Sequence, residues 1–122
     1  MKEVYLYKKL KEKQVQCQTC NHYCVILPGK RGICRVRENR NGTLYALNYG
    51  KIVARHIDPI EKKPLFHFLP GSKTYSIAAV GCNFKCGNCQ NYEISQAPKT
   101  QDIAWGENLT PEEIVKEAIK NS

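Results

Sequence analysis

Apolar and polar positions alternate most clearly in the middle of the chain. Arg35-Val36-Arg37 and Thr43-Leu44-Tyr45-Ala46-Leu47 flank Asn41-Gly42, a dipeptide suited to the positive-φ positions of a tight turn, so a β-hairpin is predicted there. Tyr49-Gly50-Lys51 marks another turn, and residues 51–57 alternate in part, which extends the expectation to a small antiparallel sheet over roughly residues 33–57. Residues 58–72 contain three prolines and predict an irregular connector that packs Leu65, Phe66, Phe68 and Leu69 on a neighbour, with His67 as a packed or surface side chain. Residues 74–80 alternate and then run apolar through Ile77-Ala78-Ala79-Val80, the pattern of a buried strand in a parallel sheet. A polar loop is expected from Gln90 through Pro98 to Asn108. A helix then starts at Thr110, where Thr110 and Glu113 form a capping box, Pro111 takes the first helical position, and Ile114, Val115, Ala118 and Ile119 share one apolar face. At the other end, residues 3–16 mix charge and apolar character without a clear period and read as a solvated basic segment.

The cysteines add chemistry to these elements. Cys82, Cys86 and Cys89 stand at CxxxCxxC spacing just after the predicted strand and Gly81, three thiols on one eight-residue loop. Iron-sulfur clusters held wholly by protein usually take four cysteines, so a local set of three leaves one iron open. Upstream, Cys17, Cys20, Cys24 and Cys34 follow C-x2-C-x3-C-x9-C spacing, with Pro28-Gly29 and Arg31-Gly32 placed to turn the last thiol back toward the others. Four thiolates at such spacing suit tetrahedral zinc, and an auxiliary iron-sulfur cluster on the same ligands is the rival. His22 lies inside this group and reads as a bystander, since four thiols already complete a site.

Length, charge and compartment narrow the classes. At 122 residues the chain is too short for a complete barrel enzyme, which runs to roughly 200 residues or more. The first residues lack the apolar core of a secretory signal, and no run approaches about 18 apolar residues, so a cytoplasmic protein without a membrane partner is expected. In a reducing compartment seven cysteines, an odd number, do not suggest a disulfide framework. The formal charge of +8 falls to roughly +5 if four thiolates hold zinc (about −2) and three hold an oxidised cluster (about −1).

The residues around the loop carry a resemblance. Cys82, Cys86 and Cys89 resemble the radical S-adenosylmethionine (SAM) signature, with Asn88 where that family usually has an aromatic and with Phe84 and Tyr92 nearby. Gly81-Cys82-Asn83-Phe84-Lys85-Cys86, Cys89-Gln90-Asn91 and Glu93-Ile94-Ser95 are similar to the pyruvate formate-lyase activating enzyme-like branch. The four upstream cysteines, Arg31-Gly32-Ile33-Cys34, Asp58-Pro59-Ile60-Glu61-Lys62-Lys63-Pro64-Leu65 and Pro70-Gly71-Ser72 resemble the AmmeMemoRadiSam-system radical SAM enzyme, so the likeness covers about residues 5–119.

That resemblance implies a fold and a chemistry. The fold is an α/β fragment: a small four-cysteine metal knuckle with antiparallel β hairpins, followed by the first β/α unit of a partial radical SAM barrel. Residues 1–57 are the knuckle and small sheet, 58–72 the connector, and 73–122 the first strand, cluster loop and helix. Cys82, Cys86 and Cys89 hold three irons of a 4Fe-4S cluster, and the fourth takes the amino and carboxylate groups of SAM. One electron, from an external reductant, then breaks the C5′ to sulfur bond, and the 5′-deoxyadenosyl radical takes hydrogen from an unidentified substrate. Cofactors carry the radical chemistry and protein supplies position; no catalytic side chain is assigned to this chain. The family's Gly-Gly-Glu stretch, which grips the SAM amino group, does not occur in these residues. An amino-terminal portion is therefore expected, from an artificial truncation, a split gene or a shortened reading frame. It would be inactive alone, with the remaining barrel as a possible separate partner chain.

A second reading is a non-enzymatic zinc-binding interaction module that contacts nucleic acid through the lysines of residues 8–13 with Arg31, Arg35, Arg37 and Arg40. Sparse aromatic interleaving argues against nucleic acid as the partner, and a three-membered second cysteine set argues against zinc alone.

Overall fold

The computed structural model of the chain describes residues 1–100 and 105–121. Asn41 and Gly42 both adopt positive φ, 55° and 92°, and close the hairpin between β5 (Arg37–Arg40) and β6 (Thr43–Ala46), with Arg40 opposite Thr43. Turns of this hand match the right-handed twist of the flanking strands, which is why Asn-Gly is an informative signal. β1 (Lys2–Glu3) pairs with the free edge of β6 to complete an antiparallel sheet. A second antiparallel sheet contains β2 (Tyr7–Lys9), β3 (Val15–Cys17) and β4 (Val25–Ile26), so the stretch read as a solvated segment contributes strands to both sheets.

Val15, Cys17, Ile26 and Leu44 form the core between these sheets, with Val4, Tyr7 and Cys24 packed against it. Asn39 is buried completely beside this core. Its Nδ2 donates to the carbonyls of Lys13 and Ile26, each at 2.8 Å, and its Oδ1 accepts from the Gly42 amide at 2.8 Å. One side chain thereby ties the end of a short 3-10 turn, strand β4 and the β5–β6 turn together. Burying its amide is tolerable because each of these bonds replaces one lost to water.

The second half departs from the expected α/β fragment. β9 (Lys73–Ala78) is not a parallel central strand: it pairs antiparallel with β8 (Ala54–Pro59), from Ala54 opposite Ala78 to Pro59 opposite Lys73. Most of β9 is only half-buried, and every pairing between the described strands is antiparallel. The molecule is thus small antiparallel sheets with two short helices, and the first β/α unit of a barrel is absent from the described residues. The cause is local: the connector is the turn of the β8–β9 hairpin, which supplies β9 with an antiparallel neighbour close in sequence. Leu65, Phe66, Phe68 and Leu69 stand exposed on that turn, contrary to the packing expected for them.

A helix also forms where a polar loop was predicted. α1 (Tyr92–Thr100) carries Pro98 inside it, and positions 101–104 of the predicted loop lie outside the described residues. Beyond them, β10 (Glu107–Asn108) pairs with β7 (Lys51–Ile52). α2 (Pro111–Lys120) has the predicted capping box, Glu113 N to Thr110 Oγ1 at 3.2 Å and Thr110 N to Glu113 Oε2 at 2.9 Å. Its contact with the β8–β9 hairpin is polar: Glu117 accepts from Arg55 at 2.9 Å and from the Tyr75 hydroxyl. Val115 and Ile119, on the predicted apolar face, stay 55% and 69% exposed.

Two outcomes follow for stability. Asn39→Ala strands the carbonyls of Lys13 and Ile26 and the Gly42 amide, so urea unfolding should show a loss of about 3 kcal/mol. Glu38 is held below the ordinary glutamate range, chiefly by its hydrogen bond from Arg40 and also by Arg31, against a smaller upward push from burial. Its folded value lies below its unfolded one, so its contribution is present above the unfolded pKa and is lost as pH falls through the folded value. The urea midpoint should therefore drop on acidification below about pH 4.3, and by less in Glu38→Gln.

Candidate functional site

The loop that carries Cys82, Cys86 and Cys89 rises from a fixed base. Val80 is fully buried, and its carbonyl accepts from Asn48 Nδ2 at 2.8 Å. Gly81 follows at φ +110°, where a Cβ would lie 2.9 Å from Val36 Cγ1 and 3.0 Å from Cγ2. Only glycine gives both that backbone conformation and that approach. The Gly81 amide donates to the carbonyl of Ile94 at 3.1 Å. In an unbroken helix the Ile94 carbonyl accepts from the residue four positions on, which is Pro98, and proline has no N–H to give. Pro98 therefore leaves in α1 the acceptor that anchors the loop.

From this base the loop runs outward. Cys82 and Cys89 are half-buried and Cys86 is exposed. The Phe84 amide donates to Cys82 Sγ at 3.4 Å, and Ser95 Oγ, on α1, lies 3.4 Å from Cys89 Sγ. The Phe84 carbonyl accepts from Gln96 Nε2 at 3.0 Å and Lys99 Nζ at 2.8 Å, which fastens the middle of the loop to α1. A Cβ on Gly87 meets nothing within 4 Å, so this chain's own packing does not demand glycine there.

The four upstream cysteines line one cavity of about 320 Å³, and Cys82 and Arg37 line it too. Sequence spacing placed Cys17, Cys20, Cys24 and Cys34 as the four ligands of one ion, and lining a shared cavity is not that arrangement. It did not anticipate Cys82 beside them, and Cys86 and Cys89 do not line this cavity. The predicted metal knuckle is corrected here. Among the described residues no group of three or more Cys, His, Asp or Glu side chains stands close enough to hold an ion, in either cysteine set. Cys17 shows the physical reason, since its side chain is buried in the core with Val15, Ile26 and Leu44 and packs there as a small apolar residue.

His22, read as a bystander, touches the loop. Its Nε2 lies 2.7 Å from the carbonyl of Asn83, and its ring meets Phe84 edge-on at 6.1 Å and 71°. No local signal foretells a contact between residues 61 apart. No described helix is long and apolar enough to cross a membrane.

Comparison with known proteins gives relatives without a stated activity. No family model matches the chain, and no solved structure matches it. It is 52% identical over 120 residues to the uncharacterized protein MJ0808 of Methanocaldococcus jannaschii, an alignment of 98% of this chain with 35% of that protein. It is 33% identical over 81 residues to the uncharacterized protein MJ0674 of the same organism, covering 66% of this chain and 19% of that protein. The chain therefore spans about a third of the first relative's length and about a fifth of the second's.

Proposed function

We propose that Cys82, Cys86 and Cys89 hold three irons of a 4Fe-4S cluster with SAM at the fourth, and that the chain is the cluster-bearing part of a radical SAM enzyme. The observation that carries this reading is the loop itself: three thiols in eight residues, fixed at Gly81 and at Phe84, with Cys86 at the open surface. The donor chemistry fits, because thiolates are the ligands such clusters take and an amide already points at Cys82 Sγ. In such a cluster each thiol binds a different iron, so the three sulfurs need not converge on a single coordination sphere as the ligands of one ion must.

When bound, the cluster supplies the electron that splits SAM into methionine and a 5′-deoxyadenosyl radical. This chain's residues hold and shield the sulfurs. Phe84 N–H and Ser95 Oγ lie beside Cys82 and Cys89, and hydrogen bonds to sulfur are among the controls on cluster potential. Lys99 and Gln96 fix the loop backbone between the first and second cysteines. A one-electron reductant and an organic substrate are the partners this chemistry needs, and a reducing cytoplasmic compartment suits free thiols.

Anaerobic reconstitution with iron and sulfide should give about four irons per chain and broad visible absorbance. Both should be lost in Cys82→Ala, Cys86→Ala and Cys89→Ala and kept in Cys17→Ala. An intact chain that takes up no iron sinks the assignment. With reductant and SAM, this chain alone should release little or no 5′-deoxyadenosine, and robust release would contradict the view that the longer relatives' remaining two thirds are needed.

A further inference from the structure

Cys82 is bracketed by contacts from the amino-terminal half: Val36 against Gly81 on one side and His22 against Asn83 and Phe84 on the other. The His22 bond has a specific consequence. Its partner is a carbonyl oxygen, which only accepts, so Nε2 carries the hydrogen and donates to Asn83 O at 2.7 Å. The Asn83 carbonyl and the Phe84 amide belong to one planar peptide group and point to opposite sides of it. Holding the carbonyl therefore aims the amide, and that amide is the one that donates to Cys82 Sγ at 3.4 Å. Bonds in series through one peptide also polarise each other, so a donor at the oxygen strengthens the amide as a donor to sulfur.

We propose that His22 is a positioning residue for Cys82. It sets the orientation of the Asn83–Phe84 peptide and through it the N–H···S bond to the first cysteine of the CxxxCxxC loop. The upstream cysteine region thereby acts on the loop through a hydrogen-bond donor lying between Cys20 and Cys24. The small groove lined by Cys20, Asn21, His22, Asn83 and Phe84 is where the two halves meet at this point. His22 is itself exposed, so its replacement leaves the buried core untouched.

The test separates donor from ring. His22→Phe keeps an aromatic ring for Phe84 and removes the donor, whereas His22→Gln removes the ring and keeps an N–H that can reach the carbonyl. In the reduced, metal-free chain, hydrogen exchange of the Phe84 amide relative to the Lys85 amide should rise about fivefold in His22→Phe and stay near wild type in His22→Gln. The second arm rests on the cluster reading given above. In reconstituted chain the cluster potential should become more negative in His22→Phe, because a donor to sulfur that favours the reduced state is lost, and should return in His22→Gln. An unchanged Phe84 exchange ratio in His22→Phe overturns the proposal, and so does a His22→Gln that behaves like His22→Phe. Wild-type chain that assembles no cluster defeats the functional reading alone, and the amide exchange then decides the role of His22 by itself.

Discussion

Gly81 has no room for a side chain, and the cysteine loop starts there. A Cβ there would run into Val36 from the first half of the molecule, its amide bonds to Ile94 from α1, and the preceding Val80 is locked by Asn48. Three parts of the chain meet within two residues. The bond to α1 exists because Pro98 cannot donate, so a residue that usually disfavours a helix interior here leaves a carbonyl for tertiary use. A loop with three thiols and an exposed tip would otherwise have little reason to hold one position.

The amino-terminal half is the anvil for this arrangement. Its stability rests on a small apolar core and on the bonds of Asn39, which join β4, the β5–β6 turn and the carbonyl of Lys13. Cys17 serves that core while its neighbours Cys20, Cys24 and Cys34 line the adjoining cavity with Cys82. Cys17 is therefore a packing residue of the core. Arg31 bonds to Glu38 and so holds the segment that leads to Cys34 against β5.

Features encoded locally were legible in the sequence. Asn41-Gly42 specified its hairpin, and Thr110, Pro111 and Glu113 specified the start of α2, because each motif acts within a few residues. The direction of β9's partner was not legible: an apolar run indicates burial, yet pairing depends on which strand lies beside it, and β8 was in reach through the connector of residues 60–72. α1 was hidden by Pro98, whose cost is offset by a bond to a residue that precedes the helix by a whole loop. The spacing of the first four cysteines suggested a closed four-ligand site that the described residues do not form, while the place of Cys82 beside them and the bond from His22 to Asn83 join distant parts of the chain.

In the proposed cluster one iron lacks a protein ligand. Mössbauer spectra of chain reconstituted with isotopically enriched iron, recorded before and after addition of SAM, test it most directly. The expected result is a four-iron cluster in which SAM separates one iron from the other three, which remain thiolate-bound. A cluster whose irons are all indifferent to SAM, or iron bound only as isolated mononuclear sites, would contradict it.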